Sequence, residues 1–463
     1  MCHFNSHRAG IRVSGLLFFL CFFSVANAQQ KQWTLEECIQ YAIDHNISIQ
    51  QLKVQQASAE VDLNTAQMSR LPNLDANANQ NWSFGRTQAE SGLYKNRTQS
   101  NTNFSIGSSI PLFTGFRIPN EIAKNKLELA AAVQNLEKAK ENLSLNVASL
   151  FLQVLFNREI LKVNEEQLTL SRSQVDRTQA LVEEGKAPKS QLYDIEAQVA
   201  NDRVAVVQAG SALQLALLDL AQSLELENNA GFDIQVPELE NVMQEDGNSI
   251  QPTSIIFNSA LQSKPVVKEQ ELRVESAKKS LKIAQAGHLP TLNLSLGYQN
   301  AYFYDYDAHK KINPATGIPL TNASLSEQLK SNPQKYIGLS LNIPIFNRFS
   351  VRNQIRNARL NIENQQLTLE NIKKTLYKEI ETAYLNAANA QAKYRASEQA
   401  VIATSEAFQY ARERYETGKS SAFEFNEAKT KMLKSQSEAI QAKYDYIFRT
   451  KILDFYNGIP IKL

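Results

Sequence analysis

The sequence predicts an α+β membrane protein with an internal twofold repeat of strand-strand-helix-helix, three copies of which close a twelve-stranded β-barrel continued by a long α-helical coiled-coil barrel. Three observations carry this. The stretch from Asn120 to Glu184 contains neither Pro nor Gly, a run about four times the length of an average soluble helix. Four stretches alternate apolar and polar side chains in the manner of half-buried strands. Pro344 follows Pro111 at the same interval at which Gly418 follows Gly185, so the elements recur in register.

The chain has 463 residues, 43% of them apolar, and a formal charge of +2. It has no basic excess of the kind that nucleic acid selects. The segment 1–28 reads as a cleaved signal peptide: His3, His7, Arg8 and Arg12, an apolar run over 13–25, then Ala26-Asn27-Ala28. Phe18-Phe19-Leu20 before Cys21 lacks the small residues of a lipoprotein site. Cleavage removes two Arg and no acid, leaving a formal charge of zero. Of the three Cys only Cys38 then remains, so no intrachain disulfide forms, and beside Leu35 and Ile39 it reads as a buried small apolar side chain.

The segment 34–68 is helical, opened by a Thr34/Glu37 capping box and stopped near Leu71-Pro72. Two strands follow. Leu74, Ala76, Ala78, Gln80, Trp82 and Phe84 alternate with Asp75, Asn77, Asn79, Asn81 and Ser83. Phe104, Ile106 and Ile110 oppose Asn103, Ser105, Gly107 and Ser109. At about ten residues each they are long enough to cross a bilayer when tilted. A hairpin half-buried on a soluble core would alternate too, but the weight of Asn and Ser suits a wet lumen.

In the long helix, Val147, Val154, Leu161, Leu168, Val175 and Val182 form an unbroken heptad seam. A companion seam is apolar at Leu136, Leu143 and Leu150 and polar at Asn157, Asn164, Ser171 and Thr178. The polar half is expected to look at water. Gly185 and Pro188 break the helix, and the short loop makes the return helix an antiparallel neighbour. A connector then carries a possible short strand over 232–236.

The second half repeats the first, opening with a helical stretch from Ser254 to Gln285. Leu289-Pro290 takes the place of Leu71-Pro72. Leu292, Leu294, Leu296 and Tyr298 oppose Asn293, Ser295, Gly297 and Gln299. Ile337, Leu339, Leu341 and Ile343 oppose Tyr336, Gly338, Ser340 and Asn342. The interval from Pro72 to Pro290 is shorter than that from Pro111 to Pro344, so the second interstrand loop, over 302–333, is the longer of the two. Its Tyr, Asp and Asn suit an extracellular position. The heptad series maps onto Ile380, Ala387, Tyr394, Val401, Phe408 and Tyr415.

The resulting division is a signal peptide over 1–28, a first repeat over 29–226, a connector over 227–253, a second repeat over 254–457 and a short tail over 458–463. Pattern bounds place strands at about 73–84, 101–113, 291–301 and 335–346. The long helices cover about 120–184 and 351–416, and the return helices about 190–226 and 421–456.

Four strands cannot close a barrel, and unpaired backbone groups in lipid cost several kcal/mol each. Identical edges must therefore join head to tail around a ring. Three copies give twelve strands and twelve helical columns.

The twofold repeat, the junctions Leu71-Pro72, Pro111-Leu112-Phe113, Leu289-Pro290 and Pro344-Ile345-Phe346, and the tips 181–188 and 414–421 resemble the TolC family of outer-membrane efflux proteins. The resemblance spans essentially the whole mature sequence. It implies a homotrimer in outer-membrane lipid, with a large periplasmic portion and an equatorial connector. It further implies a periplasmic adaptor (membrane fusion protein) and an inner-membrane pump of RND or ABC type as partners. The function implied is a passive exit channel of a tripartite efflux or type I secretion system, opened at its periplasmic end by adaptor and pump. A periplasmic or surface coiled-coil structural protein without a pore is the alternative.

Family members narrow the pore with acidic residues two to three turns above the tip Gly. Asp176 matches that position; Gln409 stands at its equivalent in the second half, with Glu406 one turn earlier. Ordinary solvated coiled-coil charge is the plain alternative for these residues. The family's basic and Tyr latch has no clear match. Gly185, Lys186, Ala187, Gly418, Lys419 and Ser420 would contact the adaptor, although every helical hairpin needs a Gly stop.

Nothing here can couple energy or catalyse. No phosphate loop is present, and no nucleophile-base or paired-carboxylate arrangement stands out from solvated helix charge. The mature His45, His288 and His309 have neither Cys nor His at ligand spacing. No enzyme activity, metal or cofactor is expected.

Overall fold

A computed structural model describes residues 32–88, 94–227, 231–237, 251–310, 312 and 317–461. The signal peptide, most of the connector and the end of the tail lie outside these.

The elements in order are β1 (Gln32–Trp33), α1 (Leu35–His45), α2 (Ile47–Met68), β2 (Asp75–Gln88), β3 (Tyr94–Phe113), α3 (Arg117–Glu183) and α4 (Lys189–Ser223). After β4 (Asp233–Ile234) come α5 (Thr253–Ser263), α6 (Pro265–Ala286), β5 (Thr291–Asp305), α7 (Leu325–Ser331), β6 (Gln334–Asn342), α8 (Ser350–Glu416) and α9 (Ala422–Tyr456). Each long helix has 67 residues, about 100 Å at 1.5 Å per residue.

Two helices expected to be continuous are each broken once. Asn46 leaves the helical region at ψ 127°, ends α1, and its side chain accepts from the N–H groups of Ser48 and Ile49 to start α2. Lys264 takes ψ 127° because Pro265 follows, and Pro265 occupies the first position of α6. The Thr34/Glu37 capping box forms, with bonds of 3.2 and 3.1 Å. The short strand β4 pairs in parallel with β1, a partner the sequence does not announce.

β2, β3, β5 and β6 form one antiparallel sheet in that order. Pairing runs past the alternating region: β2 reaches Gln88, β3 begins at Tyr94 and β5 extends to Asp305. β6 stops at Asn342 and not at 346, because its partner β5 begins at Thr291, directly opposite Asn342. Above the end of β6, the edge of β5 is covered by side-chain amides from the longer loop. Gln328 on α7 accepts from Phe303 N–H and donates to its carbonyl, both at 2.8 Å. Asn322 does the same for Asp305 at 2.9 Å, and Asn332 donates to the Ala301 carbonyl.

Below the sheet, the helices nearest it pack in the order α2, α3, α6, α8. Toward the far end the order is α4, α3, α9, α8. One apolar core gathers Leu35, Cys38, Val147, Phe151, Leu220 and Ile447, and a second gathers Ile256, Val267, Ile380 and Leu453 with their neighbours. Every member of both heptad series is buried or half-buried.

The companion seam of α3 does not look at water. Ser171 and Thr178 are buried, at 0% and 3% exposure, and Asn157 donates to the Ala212 carbonyl of α4. The seam turns polar because α4 and α9 offer it polar partners. Ser171 meets Asp202 of α4 and Lys429 of α9, with Lys429 Nζ 2.7 Å from Ser171 Oγ and 3.2 Å from Asp202 Oδ2. Gln167 and Gln198 complete the shell around the carboxylate. Burial pushes the Lys429 ammonium below its ordinary range, and the Asp202 charge opposes that shift.

Candidate functional site

Strand alternation sorts the sheet into two chemically distinct faces. Cross-strand pairing places Ile106 with Tyr298, Ile110 with Leu294 and Leu296 with Ile337 on one face, joined by Leu292, Leu339 and Leu341. Ile337, Leu339 and Leu341 are largely exposed, a cost in water and a fit in hydrocarbon. The other face has rows of Asn77, Ser105 and Gln299; Asn79 and Asn103; and Asn81 and Asn101. Amides and hydroxyls with few fixed charges line a wet passage. Gly297 lets the Tyr336 ring lie flat on this face, since a Cβ there would overlap the ring.

At the far end the two hairpin tips share one construction. Gly185 at φ 68° and Gly418 at φ 71° occupy the left-handed position after the helix cap. Their N–H groups bond the carbonyls of Val182 and Tyr415, while Lys186 and Lys419 bond those of Leu181 and Arg414. Both are Schellman closures, which satisfy the last helical carbonyls. Return helix α9 opens with a capping box between Ser421 and Glu424. Lys186 pairs with Glu184 at 2.6 Å. Lys419 is exposed, whereas Ala187 and Ser420 are half-buried.

Asp176 is exposed on α3, two to three turns before Gly185; Gln409 is exposed on α8 at the same height before Gly418, and Glu406 lies one turn above it. Among the described residues none of the three has a bonded side-chain partner, and the protomer does not bring them into contact.

What it does bring together is a set of cross-hairpin bonds that the sequence did not reveal. Arg177 reaches Glu416 at 3.3 Å and also donates to its carbonyl. Gln191 donates to the Tyr415 hydroxyl at 2.7 Å. Tyr415 and Phe408 pack on the buried Phe425, and above them lies the Ser171, Asp202 and Lys429 cluster. A polar residue recurring in a heptad seam was the one available signal for that cluster. Its partners lie on two other helices, Asp202 on α4 and Lys429 on α9, beyond the reach of local periodicity.

A family profile described as outer membrane efflux protein matches residues 38–225 and 256–453, one match for each half. Outer membrane protein TolC of Escherichia coli strain K12 is 22% identical over 389 residues, covering 83% of this chain and 74% of that protein. Toxin and drug export protein A of Aggregatibacter actinomycetemcomitans is 22% identical over 352 residues, covering 76% and 71%. Among solved structures, CusC superimposes with a TM-score of 0.75 at 16% identity, covering 92% of each chain. The CmeC outer membrane channel of Campylobacter jejuni gives 0.75 at 16% identity, covering 98% of this chain and 94% of its own.

Proposed function

The chain belongs to the outer membrane efflux protein family, and from that premise we propose that three copies close into the exit duct of a tripartite efflux or secretion assembly. The protein is an outer-membrane channel and not an enzyme. A periplasmic adaptor docks on the tips around Gly185, Lys186, Ala187, Gly418, Lys419 and Ser420, and an inner-membrane pump of RND or ABC type supplies the energy. The four strands forming one sheet with an apolar and a polar face disfavour a poreless stalk.

The observation that carries the ring is the matched pair of open edges on every layer. The sheet ends in β2 and β6, and the helices below it end in α2 and α8. α2 exposes Ile47, Val54, Val61 and Met68 at a heptad interval, while α8 exposes Leu360 and Leu367 at the same interval. Such seams want a coiled-coil partner. Lower down, α4 is long and apolar enough to cross a membrane by length and composition. It leaves Val204, Val207, Leu215 and Leu218 exposed opposite the end of the layer where α8 exposes Leu385 and Ile402. Each α8 and β6 edge thus meets the α2, β2 and α4 edge of the next copy.

The repeat supplies the register of that joint. Ser105 pairs with Gln299 within the protomer. Carrying Ser105 forward by the Pro111-to-Pro344 interval gives Gly338, and carrying Gln299 back by the Pro290-to-Pro72 interval gives Asn81. Gly338 is thereby set opposite Asn81 of the next copy. In a Cys38→Ala background, Asn81→Cys with Gly338→Cys should yield a disulfide-linked ladder ending at three chains on a denaturing gel. Absence of cross-linking, or bands beyond three, would overturn the arrangement.

Three copies each of Asp176 and Glu406, with Gln409 beside them, form the periplasmic constriction and focus a cation-attracting field there. Asp176→Ala with Glu406→Ala is expected to raise single-channel conductance and weaken cation preference in planar bilayers. Unchanged conductance and selectivity would remove these residues from the gate.

A further inference from the structure

At the periplasmic rim of the sheet, a cavity of about 520 Å³ opens between the end of α2, the end of β3 and the start of α3, a volume within the range of small-molecule sites. Leu112, Phe113, Phe116, Ile118 and Ile122 line it, and Arg70 stands at its margin. We propose that this groove binds one anionic glycerophospholipid of the periplasmic leaflet, an acyl chain lying along the apolar wall and the phosphate on Arg70.

Position comes first. After the bulge at Pro111, Phe113 pairs with Leu292, so the groove begins where the lipid-facing side of the sheet ends. It continues the bilayer surface downward to headgroup depth. β3 and α3 are interior members of their layers, so the apolar wall stands away from the joining edges, while Arg70, in the turn from α2 to β2, lies at the edge that meets the next copy.

Chemistry comes second. Arg70 is exposed, and its Nε donates to the Gln67 carbonyl at 3.0 Å, which orients the guanidinium. Among the described residues its two terminal amino groups have no bonded partner, and the groove is lined by no carboxylate. A planar guanidinium matches phosphate oxygens bidentately.

Backbone strain comes third. Phe116 sits at φ 65°, a left-handed conformation that non-glycine residues rarely adopt, and its side chain is 61% exposed. The conformation makes Phe116 the N-cap of α3, its carbonyl accepting from Asn120 Nδ2 at 2.8 Å. The strained corner holds the ring edge-on to Phe113, centroids 5.4 Å apart, forming the floor of the groove. The second repeat builds the same corner with Phe346 and Phe349, but His288 replaces Arg70 and Arg352 already lies over the Phe349 ring. The lipid site therefore belongs to the first repeat.

The test uses the full-length protein in vesicles, with Phe116→Trp in a Trp82→Phe background. Trp33, packed against Tyr41 and Phe232 in the lower core, gives a constant signal. Brominated phosphatidylglycerol should quench the new Trp several-fold more effectively than brominated phosphatidylcholine at equal mole fraction, and Arg70→Gln should bring that ratio to about one. Equal quenching by both lipids, unaltered by Arg70→Gln, would reduce the groove to ordinary bilayer contact. No quenching would mean that protein covers it. Leu112→Trp repeats the measurement if Phe116→Trp does not insert. Single-channel conductance of the same samples reports the ring separately, so a failed lipid site and a failed channel are told apart.

Discussion

Lys429→Met destabilises the periplasmic helices by about 3–5 kcal/mol, the cost of leaving a buried charge without its counter-charge. The side chains of Lys429 and Asp202 are 2% and 9% exposed, so water cannot replace the lost ammonium without the hairpins parting. The cluster joins α3 and α4 to α9, and few other polar bonds tie the two hairpins together at this level. Thermal unfolding in detergent should shift downward, and amide exchange should accelerate in α9 more than in α6. The double variant Lys429→Met with Asp202→Leu removes both charges and should recover most of the loss, since apolar replacements of a buried pair are often neutral or better. A single variant as stable as the parent would show that the charge is not confined. By comparison Arg177→Ala breaks a half-exposed pair, worth about 0–1 kcal/mol.

Gly115→Ala is the second large effect, and it falls at the strand-to-helix corner. Gly115 has φ 63°, and a Cβ there would lie 2.8 Å from Leu289 Cβ and 2.9 Å from the Ala286 carbonyl oxygen. The left-handed backbone alone costs Ala about 1–2 kcal/mol. The clash with another backbone adds about 1–3 kcal/mol of overpacking. Gly185→Ala is the control, with φ 68° but nothing within 4 Å of its Cβ, so it bears only the first of these costs. Arg348 occupies the position of Gly115 in the second repeat at φ 53°. Conformation by itself therefore does not demand glycine; the close approach of the Leu289 turn does. The heat-resistant folded fraction on a denaturing gel should fall for Gly115→Ala and hold for Gly185→Ala.

Elements bounded by Pro and Gly were legible because those residues act locally. Gly185 and Gly418 end helices wherever they stand, and the alternation from Leu292 to Gln299 needs no partner to be read. The helix start at Arg117 was less so, because Pro119 looks like a boundary although the first turn tolerates it. The breaks at Asn46 and Lys264 hide inside continuous helical patterns. The burial of Ser171 escapes the sequence for a deeper reason: a heptad pattern scores apolarity, and a hydroxyl bonded to Asp202 and Lys429 scores as a failure. Arg177 with Glu416 and Gln191 with Tyr415 join opposite halves of the chain, so only the packed hairpins disclose them.

The amides that line the upper edge of β5 bear on how copies recognise one another. Gln328 and Asn322 occupy the donors and acceptors of Phe303 and Asp305 that a sliding strand would seek. In the proposed ring, a β2 from the next copy would dock on β6 and find the β5 edge above it already occupied. The longer loop would then leave that joint a single alignment, since a strand slipped upward would meet amides in place of open backbone.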